Sequence, residues 1–227
     1  MHITPDQIVL WQWNWVHLNA TIVYTWIVML LLTLVSWLVS RRLAEPDQPR
    51  LRWQTALEVI VEIVRGQIRE ICPEGADTLL PFVGTLFLYI AASNVLEIAP
   101  VWHAPTGSLS TTAALAISVG VAVPLFGILQ RGLIGYFRHY VRPAWVMLPF
   151  HLLAETTRNL ALAVRLFGNI MSESMVAALM LAVAPLFIPV LMQVLGLVVG
   201  LIQAYIFAIL GTVYIAAAVH REQEGAK

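Results

Sequence analysis

FHLLAETTRNLALAVRLFGNIMSESMVAALMLAVA, residues 150–184, is the stretch on which the reading of this chain turns. It is an apolar, helical run of about 35 residues, entered past Pro143 and Pro149 and closed by Pro185. Beyond Pro189 a second run, 190–220, extends for about 31 residues. At about 1.5 Å per residue the two would measure roughly 50 Å and 46 Å, against a hydrocarbon core of about 30 Å. Upright helices would overshoot the bilayer. A strong tilt of around 50° is therefore expected for both, joined as a helical hairpin.

The rest of the chain supports a membrane reading. Of 227 residues 59% are hydrophobic and only 11% charged, and the mean hydropathy is +0.80. A soluble domain carries roughly a quarter charged residues, so the lipid bilayer is the expected solvent. The formal net charge is zero, which gives no sign of nucleic-acid binding. The single cysteine, Cys72, excludes an internal disulfide and a cysteine metal cluster, and reads as a small apolar residue near a loop. His2, His17, His103, His139, His151 and His220 are dispersed, so neither a metal nor a cofactor is expected. Met1 to Asn19 has no basic n-region and does not read as a signal peptide.

Hydropathy divides a single membrane domain, 1–227, into five membrane-embedded helices and one interfacial helix. The first span is 20–40, preceded by Trp11, Trp13 and Trp15 as an outer aromatic belt. A loop with Pro46 and Pro49 follows. Residues 53–71 place apolar side chains at helical spacing but interrupt them with Glu58, Glu62, Arg65, Arg69 and Glu70, the pattern of an amphipathic helix lying on the inner interface. The second and third spans are 79–98 and 111–129, with a turn-rich outer loop, Pro100 to Ser110, between them. The tilted pair, 150–184 and 190–220, completes an all-α polytopic fold.

Placement of the basic residues sets an orientation. Arg41, Arg42, Arg50, Arg52, Arg65 and Arg69 follow the first span; Arg131, Arg138 and Arg142 follow the third; Arg221 and Lys227 close the chain. The stretches 1–19, 99–110 and 182–192 have no Lys or Arg. Positive charge marks the cytoplasmic side, so the N-terminus is expected outside and the C-terminus inside.

Within 150–184, Arg158, Arg165, Asn169 and Ser172 fall within about 60° of one another on a helix, and Glu155 and Glu173 stand outside that stripe. A charge at membrane depth costs at least about 2.5–3.5 kcal/mol and normally faces a cavity or a partner. Arg158 has Glu155 three residues away as a local counter-charge. Arg165 has no acid at i±3 or i±4, so its counter-charge is expected on another helix or another chain.

The run Ala163-Val164-Arg165-Leu166-Phe167-Gly168-Asn169 resembles the signature of the a subunit in the membrane sector of F-type ATP synthases. Ile202-Gln203-Ala204-Tyr205-Ile206-Phe207, with Tyr214 eleven residues after Gln203, resembles that family's last helix. PFVGTLFLYIAASNVLEIAP, residues 81–100, and Pro105 to Thr112 resemble its middle spans, so the likeness covers most of the chain in order. The resemblance implies a stationary, non-catalytic subunit of a rotary ATP synthase or ATPase in a bacterial cytoplasmic (inner) membrane. Its partners would be a ring of c subunits, the peripheral-stalk b subunits and the rest of the complex. Two offset half-channels would lead H+ or Na+ to and from a ring carboxylate, with Arg165 keeping them apart. The resemblance also carries Asn169 and Gln203 over as polar neighbours of the arginine, Glu155 as an inner half-channel acid and Glu97 as an outer one. Tyr214 is either part of the pathway or a packed interface residue.

There are departures from the family pattern. Many members pair Glu or His nine residues after the arginine with His or Glu seven residues before the glutamine; here those positions are Ser174 and Gly196. Glu173, one residue earlier, is the candidate replacement, with the outer path wired through Glu173 and Glu97. Met1 to Trp15 and the short chain resemble the sodium-translocating N-ATPase branch. No phosphate-binding loop is present, so ATP chemistry would belong to partner chains. The competing reading is a stand-alone transporter in which Arg158 and Arg165 bind an anionic substrate, which would call for a broken helix near Arg165.

Overall fold

The structure, a computed structural model, describes residues 9–13, 16–43, 52–73, 75–99, 102, 104–141, 148–183 and 188–220. Trp15, the loop prolines Pro46 and Pro49, Arg50, Pro100, Arg142, Pro143, Pro185, Arg221 and Lys227 lie outside the described residues, as do His2 and His103.

Among the described residues six α-helices make up the body: α1 (Ala20–Leu43), α2 (Arg52–Ile71), α3 (Ala76–Leu96), α4 (Leu109–Val141), α5 (Leu148–Val183) and α6 (Ile188–His220). All but α2 are long and apolar enough to cross a membrane. A small element precedes them that hydropathy does not reveal. Strand β1 (Val9–Trp13) pairs antiparallel with β2 (Val16–Asn19), with Trp13 opposite Val16. A short apolar run carries no period long enough to separate strand from helix.

α1 is apolar all round, and Trp26, Met29 and Leu30 stay exposed on it; this suits a helix solvated by lipid. α2 is different, because charges recur along it from Glu58 to Glu70. Among the residues whose burial is described it buries Val64 and Ile68, with Cys72 just beyond its end, and leaves Val59, Val61 and Ile63 exposed. Its basic side is tied to the first turn of α3 by an ion pair between Arg65 and Asp77, Nη2 to Oδ1 2.6 Å.

Two buried clusters hold the bundle together, and α6 contributes to both. One joins Val28, Ile90, Val119, Leu162, Leu166 and Phe207; the other joins Ile68, Cys72, Leu79, Val83, Val123 and Ile215. Helices in lipid approach closely where side chains are small. That rule applies along α6, whose Gly196 and Gly200 are buried.

Two connections differ from the expected outline. The apolar span within α4 is Leu109–Leu129, but the helix itself continues beyond it to Val141, as two helices joined at Gly132. Gly132 has φ 73° and ψ 162°, a conformation open to glycine because it lacks Cβ. The outer loop does not simply turn in solvent: Ala104 to Ser108 are buried. A single 3-10 turn, Pro105–Gly107, packs against α5, where a Cβ on Gly107 would meet Ile170 Cγ2 at 3.3 Å.

Candidate functional site

Arg165 lies midway along α5, on the side turned away from the core. Leu162, Ala163, Leu166 and Ile170 are buried, whereas Arg158, Arg165, Gly168, Asn169 and Ser172 are exposed on a stripe that flanks the buried one. The helical period alone explains the division, since these residues recur every three or four positions. Among the described residues no acid forms a salt bridge with Arg165. One turn further, Asn169 Nδ2 donates to Gln203 Oε1 on α6 at 2.8 Å. Gln203 is 3% exposed, and its Nε2 has no acceptor among the described residues.

A row of close polar contacts runs along α6 from this point towards Gln193. Gln193, Gly196, Gly200 and Gln203 fall within about 80° on the helix, so they share a face. Asn94 on α3 is 4% exposed and lies against Gly200: its Nδ2 donates to the Gly200 carbonyl at 2.9 Å. Thr106, from the buried loop, donates to Asn94 Oδ1 at 3.4 Å. Glu173 on α5 reaches across to Gly196, and its carboxylate occupies the position a Cβ there would take. Gln193 Nε2 donates to the carbonyls of Glu97 and Ile98, at 3.2 and 3.0 Å, where α3 ends. Glu97 is half-buried there, close enough to Glu173 for the two carboxylates to interact electrostatically. The structure thus brings Glu97, Glu173, Asn169 and Gln203 towards one face of α6.

The other candidate residues sit elsewhere. Ser174 turns back on its own helix and donates to the Ile170 carbonyl at 2.9 Å, so it does not join the row. The Arg158 guanidinium carbon lies 5.7 Å from the Tyr214 ring centroid, which supplies a cation–π partner on α6. Tyr214 also packs against both buried clusters. Glu155 is half-buried on α5 and takes part in polar interactions of its own.

Sequence reasoning missed Asn94, Gly200 and Gln193. A signal was present for the first: a buried amide inside an apolar span must find partners, because an unmade hydrogen bond there is costly. The second lay in Gly196-Leu197-Val198-Val199-Gly200, a small-residue spacing that permits close approach. What approaches is a pair of polar side chains from α3 and α5.

These features define a class: a polytopic helical membrane protein that carries a permanent cation and a row of polar side chains within its spanning helices. A sequence model of the ATP synthase A chain family matches residues 22–216. Relatives extend over nearly the whole chain. "ATP synthase subunit a 1" of Crocosphaera subtropica is 55% identical over 98% of this chain and 96% of its own length. "ATP synthase subunit a 2" of Acaryochloris marina is 54% identical, over 98% and 95%. "ATP synthase subunit a" of Nitrosospira multiformis is 51% identical, over 100% and 90%. The chain belongs to the ATP synthase A chain family. As such it is a stationary, ion-translocating subunit of the membrane sector and not the catalytic one.

Proposed function

We propose that Arg165 divides two offset aqueous half-channels and meets the carboxylates of a rotating ring of c subunits. The observation that carries this reading is an arginine exposed in the middle of a spanning helix, with no acidic partner among the described residues. A guanidinium stays charged at any relevant pH, so it cannot relay a proton. It favours the ionised form of an approaching carboxylate and so promotes release of the bound ion. It then blocks direct leakage between the half-channels.

The row Glu97, Glu173, Asn94 and Gln203 along α6 supports an outer half-channel that ends beside Arg165. Glu155, towards the other end of α5, suits the inner one. This orientation follows the distribution of basic residues, with the N-terminus outside and the C-terminus cytoplasmic. Helix α5 has 36 residues and runs to roughly 54 Å, which supports a steep tilt across the bilayer. Ring c subunits and peripheral-stalk b subunits are the direct partners in this reading. The cargo is H+ or Na+. The sodium version rests on the likeness of Met1 to Trp15 to the N-ATPase branch, and sodium-independent acidification at neutral pH during ATP-driven pumping overturns it.

The stand-alone transporter needs a break in the helix at its arginines. α5 instead runs without interruption from Leu148 to Val183. The decisive experiment is Arg165→Ala in the assembled complex, with ATP-driven pumping into membrane vesicles as readout. Loss of coupled pumping is expected; a near-normal rate overturns the assignment of Arg165.

A further inference from the structure

The level of α6 next to Arg165 is held from two sides, and only one hold involves the residues described above. Gln203 accepts from Asn169 on α5. Two residues on, Tyr205 donates its phenolic hydrogen to Gln67 Oε1 on α2 at 2.7 Å. Positions two apart on a helix point about 200° apart, so these hydrogen bonds leave nearly opposite faces of α6.

Gln67 is itself held on a braced element. Two residues before it, Arg65 binds Asp77 on α3 through Nε at 3.0 Å and Nη2 at 2.6 Å. On either side of Gln67, Val64 and Ile68 are buried in the cluster that includes Ala208 and Ile215 of α6. α2 is therefore a strut from the first turn of α3 to the middle of α6. Tyr205 is 41% exposed on a mostly apolar helix.

We infer that Gln67 is a positioning residue for the arginine site: through Tyr205 it fixes the rotation of α6, and with it the Asn169–Gln203 pair beside Arg165. This rests on the reading of Arg165 as the residue that meets the ring. A stationary helix in that place is pulled sideways each time a ring carboxylate is drawn in. A displacement of about 1 Å at a reacting centre is enough to cost much of the rate. The strut opposes the turning of α6 that the Asn169–Gln203 hydrogen bond alone would resist from one side.

The test uses the assembled complex in vesicles, with ATP-driven pumping and passive ion leak measured together. Tyr205→Phe removes one oxygen and keeps the ring, so it leaves folding and packing in place. Tyr205→Phe and Gln67→Leu should each lower coupled pumping by roughly threefold to tenfold, the range of a hydrogen bond between membrane helices. The double variant should be no worse than either single one, because both remove the same bond. Gln67→Glu, which keeps an acceptor for the phenol, should restore most of the rate. Near-normal pumping in Tyr205→Phe overturns the inference, as does an additive double variant. Arg165→Ala separates the two claims: if it abolishes pumping while Tyr205→Phe leaves the rate near normal, the strut alone is wrong. If Arg165→Ala still pumps, the underlying reading of the site fails.

Discussion

The carboxylate of Glu173 lies over the Cα of Gly196, where the side chain of any other residue would begin. The acid at 173 and the glycine at 196 are thus complementary in space. α6 offers no side chain at this level, and α5 fills the room with a carboxylate. The same device recurs one turn along, where Asn94 of α3 lies against Gly200.

Gly196→Ala should therefore displace Glu173. Overpacking at a close helix contact costs about 1–3 kcal/mol, and thermal unfolding of the complex in detergent should show the loss together with slower pumping. Gly66→Ala is the control, because a Cβ there meets nothing within 4 Å. It should be neutral or slightly stabilising, since alanine is the better helix former. Equal effects of the two substitutions would contradict the packing described for Gly196.

Glu173→Gln keeps the shape of the side chain and removes its charge and its ability to release a proton. Coupled pumping should fall several-fold while assembly is unchanged, as judged by the amount of complex in the membrane. Pumping at the normal rate removes Glu173 from the ion route.

Arg165→Lys tests what the guanidinium contributes beyond charge. A lysine at membrane depth can lose its proton, and it has no planar fork for a carboxylate. The expected result is a loss of pumping nearly as complete as that of Arg165→Ala. Full activity would show that a point charge suffices.

Gly168 sits on the exposed stripe one turn from Arg165, and a Cβ there also meets nothing within 4 Å of this chain. Gly168→Leu should leave the stability of the isolated chain within about 1 kcal/mol and still impair pumping, because a ring passing this face would meet the new side chain. Unimpaired pumping would place the ring elsewhere.

The ion pair of Arg65 with Asp77 should matter little for stability by itself. Asp77 is 67% exposed, and exposed pairs contribute about 0–1 kcal/mol. Asp77→Asn should shift the unfolding temperature by no more than a few degrees. A larger shift would mean that α2 carries more of the fold than its buried residues suggest.

Sequence alone determined the solvent, the spanning helices and the exposed arginine. Those features depend on local quantities: apolar content over about 20 residues, helical spacing, and the cost of one charge in lipid. The family resemblance was legible for the same reason, since Arg165, Asn169 and Gln203 lie in contiguous motifs. What only the tertiary structure decided depends on which helices meet. That Glu173 reaches Gly196, that Asn94 caps Gly200, and that Gln67 holds Tyr205 across 138 positions are facts of packing between distant segments. Glycine has no side chain to reveal its neighbour, and a loop such as Ala104–Ser108 turns inward because the bundle has room for it. No periodicity in the chain encodes either.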